Sequence, residues 1–563
     1  MKREYEGVTD VLSMHESPNL RRFAHGAALV LGLVLLLVVM GEDMVARPIL
    51  AVSILMMAAA AALMLIDFRL ALLLLVAFLF GYEEFNLSSE QAFVEENIAG
   101  TVMSVQILGF ALMDVISLVF LLPVLLREWR HAVTTGRWRW LRADLLLLPV
   151  VAVWVYGIVP GLLNMHTRGD FTWDLRMLAH VLVFYFIFSR SFRTRRDYLA
   201  ALLVGGSVFL LKHGVFFFRY LTGGGLQTGM YHRVLLGSDL PLTALALALT
   251  VTALFVSRHA WRSAALATGE RSDTNGGVSP DARLRARVGH AALLLLAAYF
   301  TVMLVAGLGK LTYLQASYSL ALVFVLHRRD IHLRTVLMVI AAGVAASLLV
   351  FLTVLPTEGR EIIVYALTSA FNWVDALKLY GDLSFGTRLL EIINVWAVLQ
   401  REGAVLWGLG WGAAWTEIAA HLPFDGGAFA VEEQFLGVHV STHIDALTFL
   451  LKVGVIGTLI IYASYLRFFT AAFGLYRRQR APWERWTLMA LMLMLLIFIP
   501  NYLYFIRLKY LLGFALAGVA IFLSTPSGDP GSSDRVRRPI NTGSPDPKSG
   551  AAPMHSDRDG GPA

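Results

Sequence analysis

An arginine, a set of spaced glycines and a histidine follow one another in a single stretch of this chain, an order suited to a phosphate-bearing substrate. Arg388 stands near the start of 387–402, where the polar positions Arg388, Glu391, Asn394 and Arg401 recur with helical spacing. That period predicts an amphipathic helix with Leu389, Ile392, Ile393, Trp396 and Leu399 left for packing. A guanidinium is permanently charged and grips two phosphate oxygens at once, so Arg388 in a partly buried groove suits a diphosphate. The plainer alternative pairs it with Glu391 one turn along.

Gly408, Gly410 and Gly412 come next, interleaved with Trp407, Leu409 and Trp411. Absent side chains allow a tight turn and a close approach of backbone to a ligand. The pattern also has many purely structural uses, and it lacks the preceding strand and following helix of a dinucleotide site. Trp407, Trp411 and Trp415 offer faces on which sugars stack, or serve as anchors at a lipid interface. Further on, Thr442 and Asp445 fit the capping pattern [ST]-x-x-[DE], which predicts a helix starting at His443. A helix N-terminus attracts phosphate and disfavours imidazolium, so a histidine there stays neutral and able to accept a proton. The alternative is a histidine at a membrane interface making an ordinary hydrogen bond. His439, one turn earlier, and His421 are further candidates.

Taken together, Arg388, the Gly408-x-Gly410-x-Gly412 turn, S-T-His443-I-D-A-Leu447 and K-V-Gly454-V-I-Gly457 resemble the O-antigen ligase/polymerase superfamily of bacterial envelope glycosyltransferases. The resemblance covers 290–470 by motif and the earlier helices by hydropathy. It implies metal-independent, inverting transfer of a glycan from an undecaprenyl-diphosphate carrier to a hydroxyl on a glycan, a lipid or a protein. No cofactor, nucleotide sugar or nucleic acid is involved. Arg388 is then the diphosphate ligand and His443 the group that activates the acceptor, with Gly408, Gly410, Gly412, Trp411 and His439 lining the substrate. Two positions differ from the family form: Ile444 follows the histidine where a polar residue is usual, and the second family arginine is missing. Lys310 is the nearest cation to that place and completes the substrate-binding set.

The elements that must position these residues are membrane helices. In 563 residues, 57% are hydrophobic and 15% charged, and mean hydropathy is +0.65, too apolar for a water-soluble globule. The expected fold is all-α and polytopic. Apolar runs at 24–41, 48–66, 69–82, 101–126, 144–163, 175–189, 198–218, 235–257, 290–308, 311–326, 335–355, 444–466, 486–500 and 510–524 give about fourteen spans. The first run is too long for a signal peptide and lacks a small-residue cleavage site, so it reads as a retained helix. The expected organisation is a cytoplasmic segment 1–24, spans 1–11 over 25–355, an external helical domain 356–443 carrying the site, spans 12–14 over 444–524, and a disordered cytoplasmic tail 525–563. The external domain opens with 361–379, which reads as a helix on the membrane surface or against the bundle.

The net charge of +7 belongs to short loops between spans rather than to a nucleic-acid surface. With the N-terminus inside, roughly 33 of the Lys and Arg residues fall on the cytoplasmic side, the asymmetry of an inner-membrane protein with both termini in the cytoplasm. There is no cysteine, which excludes thiol chemistry and thiolate metal sites. Competing readings are a transporter or flippase of lipid-linked saccharides, favoured by Lys212 and His213 inside a span; a metal-dependent lipid-phosphate glycosyltransferase using Glu42 and Asp43; and a structural scaffold.

The charge asymmetry makes one prediction directly. A tag inserted at Ala420 is accessible to protease in intact spheroplasts and a tag at Ala563 is not; protection of the first or cleavage of the second overturns this topology.

Overall fold

The computed structural model describes residues 63–64, 67–81, 106–107, 110–164, 166, 168–221, 226–228, 231–233, 239–267, 280–306, 310–328, 341, 344–345, 348, 383–421, 437–442, 444–479, 481–500 and 506–525. The expected span at 24–41, most of those at 48–66 and 335–355, the surface helix at 361–379, and Glu42, Asp43 and His443 lie outside these residues. The expected cytoplasmic segment 1–24 and the expected disordered tail 525–563, Thr525 apart, lie outside them as well.

The described part is mostly helical. In chain order it contains α1 Phe68–Gly81, α2 Leu112–Thr135, α3 Asp144–Leu163, α4 Arg168–Ser191, α5 Arg195–Leu221, α6 Asp239–Ala267, α7 Pro280–Ala306, α8 Lys310–His327, α9 Leu383–Arg401, α10 Asp445–Arg478, α11 Pro482–Phe498 and α12 Ile506–Ser524. Three short antiparallel pairs punctuate them: β1 Gln106–Ile107 with β2 Phe110–Ala111, β3 Leu226–Thr228 with β4 Tyr231–Arg233, and β5 Trp415–Thr416 with β6 Val438–His439. Among the described residues, five helical segments are long and apolar enough to cross a membrane: Asp144–Leu163, Asp170–Ser191, Arg195–Val215, Arg287–Val305 and Asp445–Arg478. The run expected as a span at 101–126 differs from expectation. It begins with the β1–β2 turn, and α2 then continues to Thr135 through the basic segment that hydropathy assigns to a loop.

Hydrophobicity all round a helix marks the centre of a bundle. α11 and α12 meet that description, with every residue from Leu488 to Leu495 buried and α12 packed along α4. α3 is peripheral. Its Leu145, Leu148, Val151, Val155, Val159 and Leu162 recur at three- and four-residue steps and all face outward, as a lipid-facing stripe does. Ion pairs and buried hydrogen bonds gather toward the two ends of the bundle. At one end Arg190 meets Asp144, Arg195 meets Glu484 at 2.9 Å, and Tyr476 meets His327 at 2.8 Å. At the other, Asp114 holds His180 (2.9 Å) and Arg176 (3.2 Å), and Lys212 holds Asp239 (2.9 Å). Only helices that alternate in direction bring these residues level with one another.

α10 is two helices end to end, divided at Gly454 with φ +68° and ψ −174°, a conformation essentially reserved for glycine. A break frees carbonyls before it and N–H groups after it, and inside a protein these must find partners. Residues 405–410 supply them. The N–H groups of Leu409 and Gly410 donate to Leu451 O (2.9 Å) and Lys452 O (2.7 Å), while those of Val455 and Ile456 donate to Val405 O (3.0 Å) and Leu406 O (3.2 Å). The two backbones touch, since a Cβ on Gly408 would lie 2.5 Å from Gly454 N and from Lys452 O.

Gly454→Ala therefore forces a non-glycine residue into this conformation, at about 1–3 kcal/mol for the strain alone, and drives its Cβ onto Leu406 O. Its thermal unfolding midpoint in detergent should fall well below wild type. Gly474→Ala, at a helical glycine with nothing within 4 Å of the added Cβ, should be neutral or stabilise by about 0.5–1 kcal/mol. Equal midpoints for the two variants would refute this account of the break.

Candidate functional site

The glycine loop runs on from the break in α10 into the gap between α3 and α4. All three of its glycines have positive φ: +75° at Gly408, +92° at Gly410 and +86° at Gly412. Each also lies against backbone where a Cβ has no room: Gly408 against Lys452 and Gly454, Gly410 against Pro160 and Gly161, and Gly412 against Phe171. The close approach expected of these glycines is thus an approach to other parts of the chain. α3 secures the loop from its side. Tyr156 OH donates to Trp407 O (3.0 Å), Asn164 Nδ2 donates to Leu409 O (2.8 Å), and the N–H of Trp411 donates to Gly157 O (3.0 Å).

Below the loop lies a buried charge pair. Lys452 Nζ is 2.6 Å from Asp174 Oδ2, and both side chains are buried. An ammonium carries three donors, and the other two directions of Lys452 are taken by Val440 O at 2.9 Å and Ala413 O. Asp174 Oδ2 also accepts the N–H of Gly412 at 2.6 Å. One lysine at the break therefore ties together α4, the end of the glycine loop and the strand that leads toward His443.

Beyond the loop, α9, β5 and the start of α10 share a small apolar core of Val395, Val398, Leu399, Ala404, Ala413, Trp415, Leu447 and Leu451. Asn394, fully buried on α9, clamps the chain after β5: its Oδ1 accepts from the N–H groups of Ala419 (2.8 Å) and Ala420 (3.1 Å), and its Nδ2 donates to Ala420 O (2.7 Å). His439 stacks on Trp415 with ring centroids 4.3 Å apart, and its Nε2 lies 2.8 Å from Glu417 Oε1. Glu417 is also 3.4 Å from His421 Nδ1.

Several expectations are corrected by this geometry. Trp411, expected to line the substrate, is buried, with Nε1 donating to Trp154 O at 2.8 Å, and Trp415 is fully buried as well; neither presents a face to a sugar. Of the three tryptophans named, Trp407 is the exposed one. His439 is buried too, which makes it a support for β5–β6 rather than a substrate contact. The capping box does not form. α10 starts at Asp445 with Ile444 as its cap and no side-chain cap bond, because the Thr442 hydroxyl is engaged by Ile444 O (2.7 Å) and Thr448 Oγ1 (2.9 Å). His443 itself is outside the described residues. On α9 the expected faces are exchanged in part: Glu391 and Asn394 are fully buried and Leu389, Ile392, Ile393 and Trp396 are 40–43% exposed, whereas Leu399 is buried and Arg401 exposed as expected. Arg388 is part-buried one turn before Glu391, and Lys310 is the first residue of α8.

The structure brings the three glycines to one place and joins α9 to the start of α10. Of the polar residues that hold this arrangement, Asp174, Asn394 and Glu417 belong to no motif, and Lys452 is the lysine of K-V-Gly454-V-I-Gly457, where the glycines drew the attention. For Lys452 and Asp174 a signal exists in the sequence, since a charge inside an apolar span needs a buried partner. No protein-family model, curated protein or solved structure matches this chain.

Removing one member of a buried pair leaves the other charge uncompensated, typically a loss of about 3–5 kcal/mol. Lys452→Met and Asp174→Asn should each lower the unfolding midpoint strongly, while the double variant should lose less than the sum, by roughly 0.5–3 kcal/mol of coupling. Additive losses would mean that the two residues act independently.

Proposed function

We propose that this protein is a multi-pass bacterial inner-membrane glycosyltransferase of the O-antigen ligase/polymerase type. It has about fourteen spans, both termini in the cytoplasm and 356–443 on the outer face. It moves a glycan from an undecaprenyl-diphosphate carrier to an acceptor hydroxyl. One observation carries the reading: α9, the glycine loop and the first turns of α10 are built on one core, so the helix bearing Arg388 and the helix that follows His443 form a single unit. A transferase needs that arrangement, because the leaving diphosphate and the attacking hydroxyl must be held in line across one sugar carbon.

In the reaction, the acceptor oxygen attacks the anomeric carbon from the face opposite the diphosphate. The new C–O bond forms as the bond to the diphosphate breaks, and the configuration inverts. His443 takes the hydroxyl proton, and the Arg388 guanidinium, with Lys310, balances the charge that develops on the leaving diphosphate. This scheme needs no metal, because the charge on the leaving diphosphate is met by cationic side chains.

The transporter alternative finds less support. It requires a broken helix whose freed backbone faces a substrate, and four of the groups freed in α10 are taken by 405–410. The charges it relies on are also bonded within the protein: Lys212 meets Asp239 at 2.9 Å, and His213 Nε2 meets Thr243 Oγ1 at 3.3 Å.

Purified protein is incubated with a lipid-diphosphate glycan and an acceptor in EDTA. His443→Ala should lower turnover about 100- to 10,000-fold with donor binding kept, and the acidic limb of the pH profile should vanish with it. Arg388→Lys should lose most transfer while folding normally, since an ammonium keeps the charge and lacks the two-pronged grip. Near-normal turnover by His443→Ala removes the general base from the mechanism, and transport of donor without bond formation transfers the case to the flippase.

A further inference from the structure

The apolar row on α9 is turned away from the core of its own domain. Leu389, Ile392, Ile393 and Trp396 recur at i, i+3, i+4 and i+7 and are 40–43% exposed, while Val395, Val398 and Leu399 on the other side are buried. A helix in water places such a row inward. Here the inward side carries Glu391 and Asn394, so the row needs a partner other than the described core of its domain.

The neighbouring surface identifies that partner. Leu406 and Trp407 are exposed where the chain reaches α10, at 53% and 55%. The Trp407 ring lies 6.3 Å from that of Tyr156, whose hydroxyl donates to Trp407 O. Tyr156 belongs to α3, one of the membrane-length helices, and adjoins its outward stripe of Val151, Val155, Val159 and Leu162. The apolar surface of the domain thus meets the lipid-facing stripe of a span at the Tyr156–Trp407 contact, within the length of that stripe. Arginine stands at both ends of the helical row: Arg388 before it, and Arg401, held by Glu402 at 2.9 Å, after it. Apolar residues along one side with arginines at the ends are the composition of a helix lying in a bilayer surface.

We propose that α9 lies flat on the membrane, with Leu389, Ile392, Ile393 and Trp396 sunk into the adjoining leaflet and the phospholipid bilayer as their partner. The row extends about 10 Å along the axis, and its residues sit at one depth, with Arg388 at the level of the lipid phosphates. A carrier lipid with its tail in the same leaflet presents its diphosphate at that level. The proposal rests on the membrane reading alone and does not depend on the transfer chemistry.

The chain has no cysteine, so single-cysteine labelling of the full-length protein is clean. Leu389→Cys, Ile392→Cys and Trp396→Cys are each labelled with an environment-sensitive nitrobenzoxadiazole dye in phosphatidylethanolamine/phosphatidylglycerol vesicles. Val155→Cys marks the lipid face of α3, and Glu402→Cys marks water. Phospholipids carrying a doxyl group on the acyl chain should quench the three α9 labels roughly twofold or more and to a common depth, as they quench Val155→Cys, while aqueous iodide should quench only Glu402→Cys. Iodide quenching of the α9 labels would place the row in water. Dye–dye transfer between copies without lipid quenching would assign it to a second copy of the chain. Protection from both quenchers without transfer would assign it to another segment of the same chain. Any of these three results overturns the proposal, and because glycan transfer is not measured, each does so whatever becomes of the transferase reading.

Discussion

The break in α10 is the constraint on which the rest of this architecture depends. A helix interrupted within a membrane-length segment leaves backbone groups that water cannot reach, and each group left unpaired costs about 1–3 kcal/mol. Four are satisfied by a single stretch, Val405 to Gly410. The repair is geometric before it is chemical. Two backbones must lie in contact, which requires Gly454 on one side and Gly408 on the other, and the loop must then turn into the gap beside α3, which requires Gly410. Among the described residues, the domain containing α9 is anchored in the hydrogen-bonded core of a span, with α3 and α4 holding the same loop from its other side.

The charges follow from the same event. A lysine inside a span is expensive unless its three donors are satisfied, and the break puts three acceptors around Lys452. Asp174 comes from α4, and the carbonyls of Ala413 and Val440 come from the two arms of the inserted segment. The two carbonyls would not be in place without the insertion of the loop, so two of the three bonds of the ammonium depend on the loop being seated.

How much of this could be read from the residues depends on what each pattern measures. Hydropathy measures length against bilayer thickness, and the runs at 144–163, 175–189 and 198–218 correspond to α3, α4 and α5. Glycine spacing correctly marked a close approach at 408–412, but spacing does not name what is approached; here it is Lys452, Gly454 and Gly161 rather than a ligand. Periodicity on α9 separated two faces without saying which is buried. The rule that apolar faces turn inward assumes water outside, and it fails where the outside can be lipid. The capping pattern at Thr442 misplaced the start of α10 because its hydroxyl has partners in Ile444 and Thr448, and an isolated four-residue signature cannot anticipate a competing partner six residues on.

Two attachments fix the height of the domain relative to the bundle. The glycine loop holds it to α10 and α3, and the Tyr156–Trp407 contact places its edge beside the outward stripe of α3. With the row on α9 seated in lipid, a third support completes a plane, and a body held at three points on one plane cannot rock about an axis lying within it. Arg388 then keeps a constant distance from the layer of lipid phosphates. On the proposed reading that constancy has a kinetic consequence. A lipid-bound donor diffuses in two dimensions at fixed depth, so a cation held at that depth meets every passing diphosphate without lifting its carrier from the bilayer. The acceptor hydroxyl is then the only partner whose approach angle remains to be selected, and the residues that select it must lie on the water-facing side of the core shared by α9 and α10.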